Sequence, residues 1–530
     1  MKLIRPNILS STDGSFSRAS VGSYIDSAGT LKIAAINTPR FDYSGGTFQG
    51  FLCEPSATNL VLNSETIAAG ANVSVLQNYA TKAPDQEYSA DLVQLGPGYN
   101  LERYIQDFTY TFTNITTYVW SAFVKQNGPD IRAVLRTSKG YIVFGFDAGV
   151  TLQVGNIEAY GVYKLADGRY RVWIKASTTA ANQTEFFRVQ LADQNNNLLL
   201  DHPLSYFSMW VWGLQAEVNN RLTSYIRTSG SAETRAADIV SGSGLIYADV
   251  INTDANYSSA TTYALGARVT YSGKIFESLQ NTNINHDPLT SPTWWLLIGP
   301  DNKHAALDNS VSTVTQGTGT LTLVVKPGAI DSVGLIDMEG TVMEIAVSDA
   351  TDGLLFTQTI GLSGIEVGNW YDYFFLSPLS DMKRTQYVVS DLSSEYSDPI
   401  VTIRIKNGTD IAKLGLASFG TLIQIGEVQY GASAGIVDFS VKSTDEYGNT
   451  SLLQRNFSKR LSARCFVPNR DINRVQRTLY SIRATPVVWV GVDDPTYEEA
   501  MIVWGFYKDF TTEISYPTYS LVSLEIEGLS

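Results

Sequence analysis

The chain has 530 residues, with 38 Lys and Arg against 52 Asp and Glu, for a net charge of −14. That balance excludes a general nucleic-acid binder, which needs a positive footprint, and offers no attraction to an anionic membrane surface. Charged residues make up only 17% and aromatics 11%, with 29 Tyr, the composition of β-rich adhesive proteins rather than of helical enzymes.

The length suits about three to five domains. The two cysteines, Cys53 and Cys465, each sit in an apolar run and read as buried free thiols, which fits assembly in a reducing cytosol. Met1 to Asn7 carry no long apolar stretch of the signal-peptide kind, and no run of eighteen apolar residues exists. The expectation is therefore a chain with neither a secretion signal nor a membrane insertion.

Residues 1–62 are punctuated by turns at Asp13-Gly14, Ala28-Gly29 and Gly45-Gly46. They hold too little apolar content for a core of their own and read as an extended attachment segment. The wording is distinctive: Phe16-Ser17-Arg18-Ala19-Ser20, Tyr24-Ile25-Asp26, Asn37-x-Pro39-Arg40-Phe41-Asp42, Gly50-Phe51-Leu52-x-Glu54 and Ala57-Thr58-Asn59-Leu60. This order resembles a leader carried by many tailed-phage virion proteins of the tail tip, fibre or spike type. The resemblance implies a virion component, assembled in the host cytoplasm, exposed extracellularly and partnered by other tail proteins.

Residues 63–240 alternate like a sandwich. Tyr118, Trp120, Ala122 and Val124 share one face; Tyr170, Val172 and Ile174 oppose Arg171, Trp173 and Lys175. Asp167-Gly168 is a hairpin signal, and Tyr206, Ser208, Trp210 and Trp212 line one side of a further strand. The seam Trp212 to Glu217, Thr223 to Ile226 and Thr234 to Asp238 resembles the end of a lectin-like jelly-roll domain of phage tail proteins. That resemblance implies sugar binding on aromatic faces, for which Trp120 and Trp173 are candidates. No Asp-x-Asp-x-Asp-Gly loop occurs, so no metal is expected.

Residues 241–300 hold Tyr263-x-x-Gly266-x-x-Val269-x-Tyr271-x-Gly273-x-x-Phe276, then Trp294-Trp295 and Gly299-Pro300. The series resembles the small chitin-binding-type carbohydrate-binding module, a three-stranded sheet that presents aromatic faces to sugar rings. The candidates it implies are Tyr263, Tyr271, Trp294 and Trp295. Adjacent Trp294 and Trp295 must point to opposite faces of an extended segment, so one can be core while the other meets solvent.

Residues 301–437 read as a second jelly-roll-like sandwich, with an aromatic strand at Tyr371 to Phe375 and a turn at Asn407-Gly408. Residues 438–530 read as an α+β domain. Asn469 is the expected helix cap, and Ile472, Val475, Leu479 and Ile482 share a helical face. From Lys442 to Arg483, nine Lys or Arg face Asp445, Glu446 and Asp471, giving +6 within an acidic chain. Arg470, Arg474 and Arg477 are the candidate virion-docking residues, and this region also resembles the terminal domain of phage tail proteins.

No catalytic constellation stands out. His202, His286 and His304 have no metal-ligand spacing and read as polar loop residues, and no Gly-x-Ser-x-Gly or Walker sequence occurs. The expectation is thus a mainly β, multidomain, non-enzymatic protein without cofactors: two antiparallel β-sandwiches flanking a small three-stranded module, with an α+β C-terminal domain. It would bind host-surface glycan as a homo-oligomer, a trimer being one symmetry open to it. The alternatives are a purely structural virion spacer and a glycan-degrading tail enzyme.

Overall fold

A computed structural model describes residues 1–530 except 8, 10–12, 80, 96–100, 103, 129–130, 201–207, 252–253, 309, 363–382, 445–446, 448, 493–497 and 530. His202, Tyr206, the strand expected at Tyr371 to Phe375, Asp445 and Glu446 lie outside the described residues. The chain is mainly β and divides into two compact units. One comprises Met1–Ser15, Ser241–Val347 and Gln358–Ser530; the other comprises Phe16–Val240 and Ser348–Thr357.

The second unit is an antiparallel sandwich. Its six-stranded sheet runs in the order Ala159–Lys164, Arg169–Ser177, Thr117–Gln126, Ser208–Glu217, Asp91–Leu95, Val73–Leu76. Its five-stranded sheet runs Tyr104–Phe112, Gln183–Asp193, Ile131–Thr137, Gly140–Gly145, Gly149–Gly155. Period-two alternation sends Tyr118, Trp120, Ala122 and Val124, with Val172 and Ile174, into the core between the sheets, beside Phe187 and Leu135. The Asp167-Gly168 turn joins the first two strands of the six-stranded sheet, with φ of +57° and +68° at its two residues.

The outer face of the six-stranded sheet is not left to water. Every residue of Ser208–Glu217 is buried. Trp210, Trp212 and Phe123 pack in a second cluster with Leu31, Leu165 and Tyr225. The leader supplies part of this cover, through Leu31 and Ile25, and Ala83, Leu165 and Tyr225 supply the rest. Residues 16–62 therefore form part of this unit, while the strand Lys2–Pro6 belongs to the other. The stretch 1–62 is not one attachment segment, because Lys2–Pro6 has a ladder of its own to complete.

In the first unit one fourteen-stranded sheet dominates. Its main path runs Gly244–Asp249, Thr315–Lys326, Ile400–Gln424, Lys2–Pro6, Val487–Val490, Ile502–Glu513, Tyr519–Gly528, Phe457–Pro468, Glu427–Val428. Strands from both sides of the expected 437/438 division thus share a ladder, and Lys2–Pro6 is the splice. Ile4 pairs with Leu422 on one side and Val488 on the other.

Two local expectations are corrected. Asn407-Gly408 does not turn the chain into a new strand. Thr318 pairs with Ile411 and Thr320 with Lys406, so residues 407–410 bulge from a single strand opposite Gly319, with Gly408 at φ +61°. Asn469 does not cap the helix Ile472–Ser481; Asp471 occupies that position. The Asn469 amide instead donates to the Tyr516 and Pro517 carbonyls and its oxygen accepts from Ser520. The helix itself buries Val475, Leu479 and Ile482 against Trp489, Leu461 and Val522, the face its apolar spacing sets.

The small module in this unit is a sheet of Arg268–Tyr271, Lys274–Ser278 and Trp295–Pro300, antiparallel throughout, with the two-residue strand Ala255–Asn256 added in parallel. Gly273 turns the first hairpin at φ +73°.

Candidate functional site

The leader and the seam, which are the two most distinctive phrases of the second unit, meet in one buried charge cluster. Arg18 donates to Asp238 at 3.2 Å, and Arg40 donates to Glu54 at 2.9 Å and to Asp238. Arg235 lies 3.4 Å from Glu54 and 3.7 Å from Asp238. Ser224 donates to both Glu54 oxygens, through its N–H at 2.7 Å and its hydroxyl at 2.7 Å. Burial alone would raise Glu54, but Arg40 and Arg235 outweigh it and hold the carboxyl at about 2. Charges removed from water this completely must be paired, and here each carboxylate is.

Beside this cluster lies a cavity of about 350 Å³. Its wall includes Tyr24, Asp42, Tyr163, Arg171, Trp173 and Arg221. Asp42 differs from Glu54 and Asp238 in having no arginine on its oxygens. Its hydrogen bond is from the Ile25 N–H at 2.6 Å. Burial pushes its carboxyl up to about 7, against the pull of that N–H. Arg171 donates to the Thr223 carbonyl at 2.8 Å and to the Ser121 hydroxyl at 3.2 Å. Burial lowers its basicity, and its Nε is buried without a partner among the described residues. Arg221 donates to the Cys53 and Ala350 carbonyls, tying down the 348–357 turn.

Trp173 is half-buried and stands in the wall of this cavity. A Cβ on Gly161 would lie 2.7–2.8 Å from Nε1, Cε2 and Cζ2 of the indole. The Nε1–Cε2–Cζ2 side of the indole therefore packs on Gly161, and a side chain there would collide with it. Trp120, the other candidate of this sandwich, is fully buried between the sheets, its Nε1 donating to the Arg188 carbonyl. It presents no ring face, because its position in the alternation is the core position.

In the small module the two adjacent indoles part. Trp295 is 2% exposed and packs with Tyr263, Val269 and Phe276; its Nε1 donates to the His286 carbonyl at 2.8 Å. Tyr263, at 9% exposure, is also core, so neither it nor Trp295 offers a face. A unit this small must spend rings on its own interior. Trp294 is half-buried and stacks on His286, with ring centroids 3.7 Å apart and planes inclined by 11°. His286 is held in turn by the buried Asn283 at 3.0 Å. Tyr271 is half-buried and donates to Asp287 at 3.0 Å, whose other oxygen accepts from the Leu289 N–H.

The module therefore presents Trp294 and Tyr271, each fixed by a second side chain. His286 was missed in the sequence, where it reads as a loop residue. The signal was its place between two turn-forming stretches and a Trp pair, which spacing alone does not convert into a ring stack.

Arg470, Arg474 and Arg477 are exposed on and beside the helix Ile472–Ser481. Arg470 and Arg474 lie 3.6 and 3.9 Å from Asp471, Arg474 donates to the Gln424 carbonyl, and Arg477 donates to the Asn473 carbonyl. Among the described residues no group of three or more His, Cys, Asp or Glu could hold a metal, and no helix is long and apolar enough to cross a membrane.

No family model matches the chain, and no curated protein matches it. Among solved structures it is similar to the CBM22-1–GH10 modules of endo-1,4-beta-D-xylanase 10B from Clostridium thermocellum complexed with xylohexaose. That match has 10% identity and a TM-score of 0.18, over 32% of this chain and 29% of that one. It is also similar to the N-terminal CBM22-1–CBM22-2 tandem of Xyn10C from Paenibacillus barcinonensis, at 8% identity and TM-score 0.18, over 69% of this chain and 96% of that one. An allantoicase from Saccharomyces cerevisiae matches at 9% identity and TM-score 0.14, over 68% and 92%. Likenesses this slight carry no argument about what the chain does.

Proposed function

We propose that the chain is a non-enzymatic, glycan-binding component of a tailed-bacteriophage particle, a tail tip, fibre or spike protein that touches host-surface carbohydrate during adsorption. The observation that carries the binding half is the Trp294–His286 stack. It is a flat aromatic platform, half open to solvent, backed by a second ring and anchored through Asn283. Such a face stacks on the C–H side of a sugar ring without first having to be ordered. The virion half is supported by the wording of the leader and the seam, which the fold unites in one cluster.

Single sites of this size bind weakly. Several copies on one particle, as a closed homo-oligomer, would raise the overall avidity. Arg470, Arg474 and Arg477 offer an exposed basic face for an acidic neighbour in the particle. Titration of the full chain with chitin oligosaccharides, backed by a glycan array, tests the binding half. Saturable binding that Trp294→Ala abolishes supports it, and a featureless array for the wild type sinks it. Immunogold localisation of the chain on an intact particle tests the virion half.

A second reading, that the sugar-module folds are only spacers, is favoured by the burial of Trp120, Tyr263 and Trp295. The same titration decides between the two readings.

A further inference from the structure

The cavity beside the buried charge cluster has the chemistry of a ligand site separate from the module. At about 350 Å³ it falls at the small end of the range for ligand pockets, roughly 300–1,000 Å³. Three features of the wall define what it would accept.

The first is charge. The wall carries both signs, Asp42, Glu54 and Asp352 beside Lys164, Arg171 and Arg221, so it is polar without being a field of one sign. The second is the supply of hydrogen-bonding groups. Asp42 spends one oxygen on the Ile25 N–H and makes no other hydrogen bond among the described residues. Arg171, a 7%-exposed side chain, has its Nε unpartnered. A buried group left in the state of the Arg171 Nε is costly unless a ligand or solvent meets it, and the half-buried Asp42 keeps acceptor capacity open. The third is the Trp173 indole, packed against Gly161 and standing in the cavity wall. Trp173 and Leu354, both part-exposed, mark where the cavity reaches solvent.

We infer that this cavity is a binding pocket for a single neutral pyranose, taken end-on, with the indole of Trp173 against its C–H face and Asp42 and Arg171 on its hydroxyls. The ligand class rests on the glycan-binding reading; the pocket itself rests on its own wall. The role assigned is binding, and of the three wall carboxylates Glu54 is not available for chemistry. A glycosidase pair needs a second carboxylate free to act as base or nucleophile. Both Glu54 oxygens are already engaged by Arg40 and Ser224.

The test is saturation-transfer NMR on the full chain. The probes are the methyl glycosides of glucose, galactose, mannose and N-acetylglucosamine, at the millimolar concentrations that a one-ring ligand requires. At least one probe is expected to show transfer to its ring C–H protons. Trp173→Ala and Leu354→Trp, the second of which fills the mouth from its exposed side, should each weaken that transfer about tenfold. Trp294→Ala should leave it unchanged. If Trp173→Ala melts early, Leu354→Trp carries the test alone.

Absence of transfer from all four probes overturns the proposal. So does transfer that survives Leu354→Trp, and so does cleavage of any probe. A wild type that binds chitin oligosaccharide yet gives no pyranoside transfer removes the pocket and spares the module. The converse result removes the module and spares the pocket.

Discussion

Arg40 and Asp238, 198 positions apart in the chain, form an ion pair in which neither side chain has any exposure to solvent. The pair is what makes the leader and the seam one structure. Each partner also meets a second opposite charge, Arg40 with Glu54 and Asp238 with Arg18.

Removing one member of such a cluster leaves charges buried without compensation. Asp238→Ala strands Arg18, leaves Arg40 and Arg235 to share Glu54, and takes an acceptor from the Glu54 N–H. The expected loss is about 3–5 kcal/mol in the unfolding of this unit. Urea denaturation followed by tryptophan fluorescence measures it, and a change within about 0.5 kcal/mol would refute the cluster's role.

The two adjacent tryptophans should separate fold from binding. Trp295→Ala empties the module's interior and is expected to cost about 3–5 kcal/mol. Trp294→Ala loses mainly its stack on His286, about 0.5–1.5 kcal/mol, while abolishing the proposed sugar binding. Differential scanning calorimetry paired with titration distinguishes the two, and equal destabilisation by both would contradict the placement.

His304 makes a pH-dependent contact. Its Nε2 meets Asp13 at 2.6 Å and its Nδ1 meets Asp301. Burial would lower its pKa, but the two carboxylates raise it from 6.5 to about 9. Because the folded value lies above the unfolded one, the contribution is complete below about 6.5 and disappears as pH rises through 9. Asp13 is half-exposed, so screening reduces the effect to on the order of 1 kcal/mol. Melting temperature should fall between pH 7 and 10 more steeply in the wild type than in His304→Gln.

Neither cysteine should react in the folded chain. Both are buried, and burial pushes the Cys53 thiol up to about 12 and raises Cys465 as well. Thiolate is the nucleophile, so an aromatic disulfide reagent at pH 8 should label neither until denaturant is added. Rapid labelling of the native protein would contradict this burial.

The sequence announced its strands and hid their cover. Alternation at Tyr118, Trp120, Ala122 and Val124 names a core face because that pattern is local. The second face of Ser208–Glu217 is covered by Leu31 and Ala83 from far upstream together with Leu165 and Tyr225, a grouping that no local period shows. Arg18, Arg40, Glu54 and Asp238 were visible as phrases but not as partners, because no period links them. Asn407-Gly408 had the chemistry of a turn, yet the ladder on both sides outweighed it and kept the strand continuous. Of the sugar-site candidates, the split between Trp294 and Trp295 followed from strand geometry. The burial of Trp120 followed from its own position in the alternation, while the Trp173 cavity needed the leader folded in place.

The splice of Lys2–Pro6 between Ile400–Gln424 and Val487–Val490 also sets the order of biogenesis. Translated before either of their neighbours in the sheet, these five cannot lock into register until segments near position 490 have left the ribosome. During that interval the interrupted ladder presents raw edges to other nascent chains, so maturation should be slow and sensitive to crowding by its own copies.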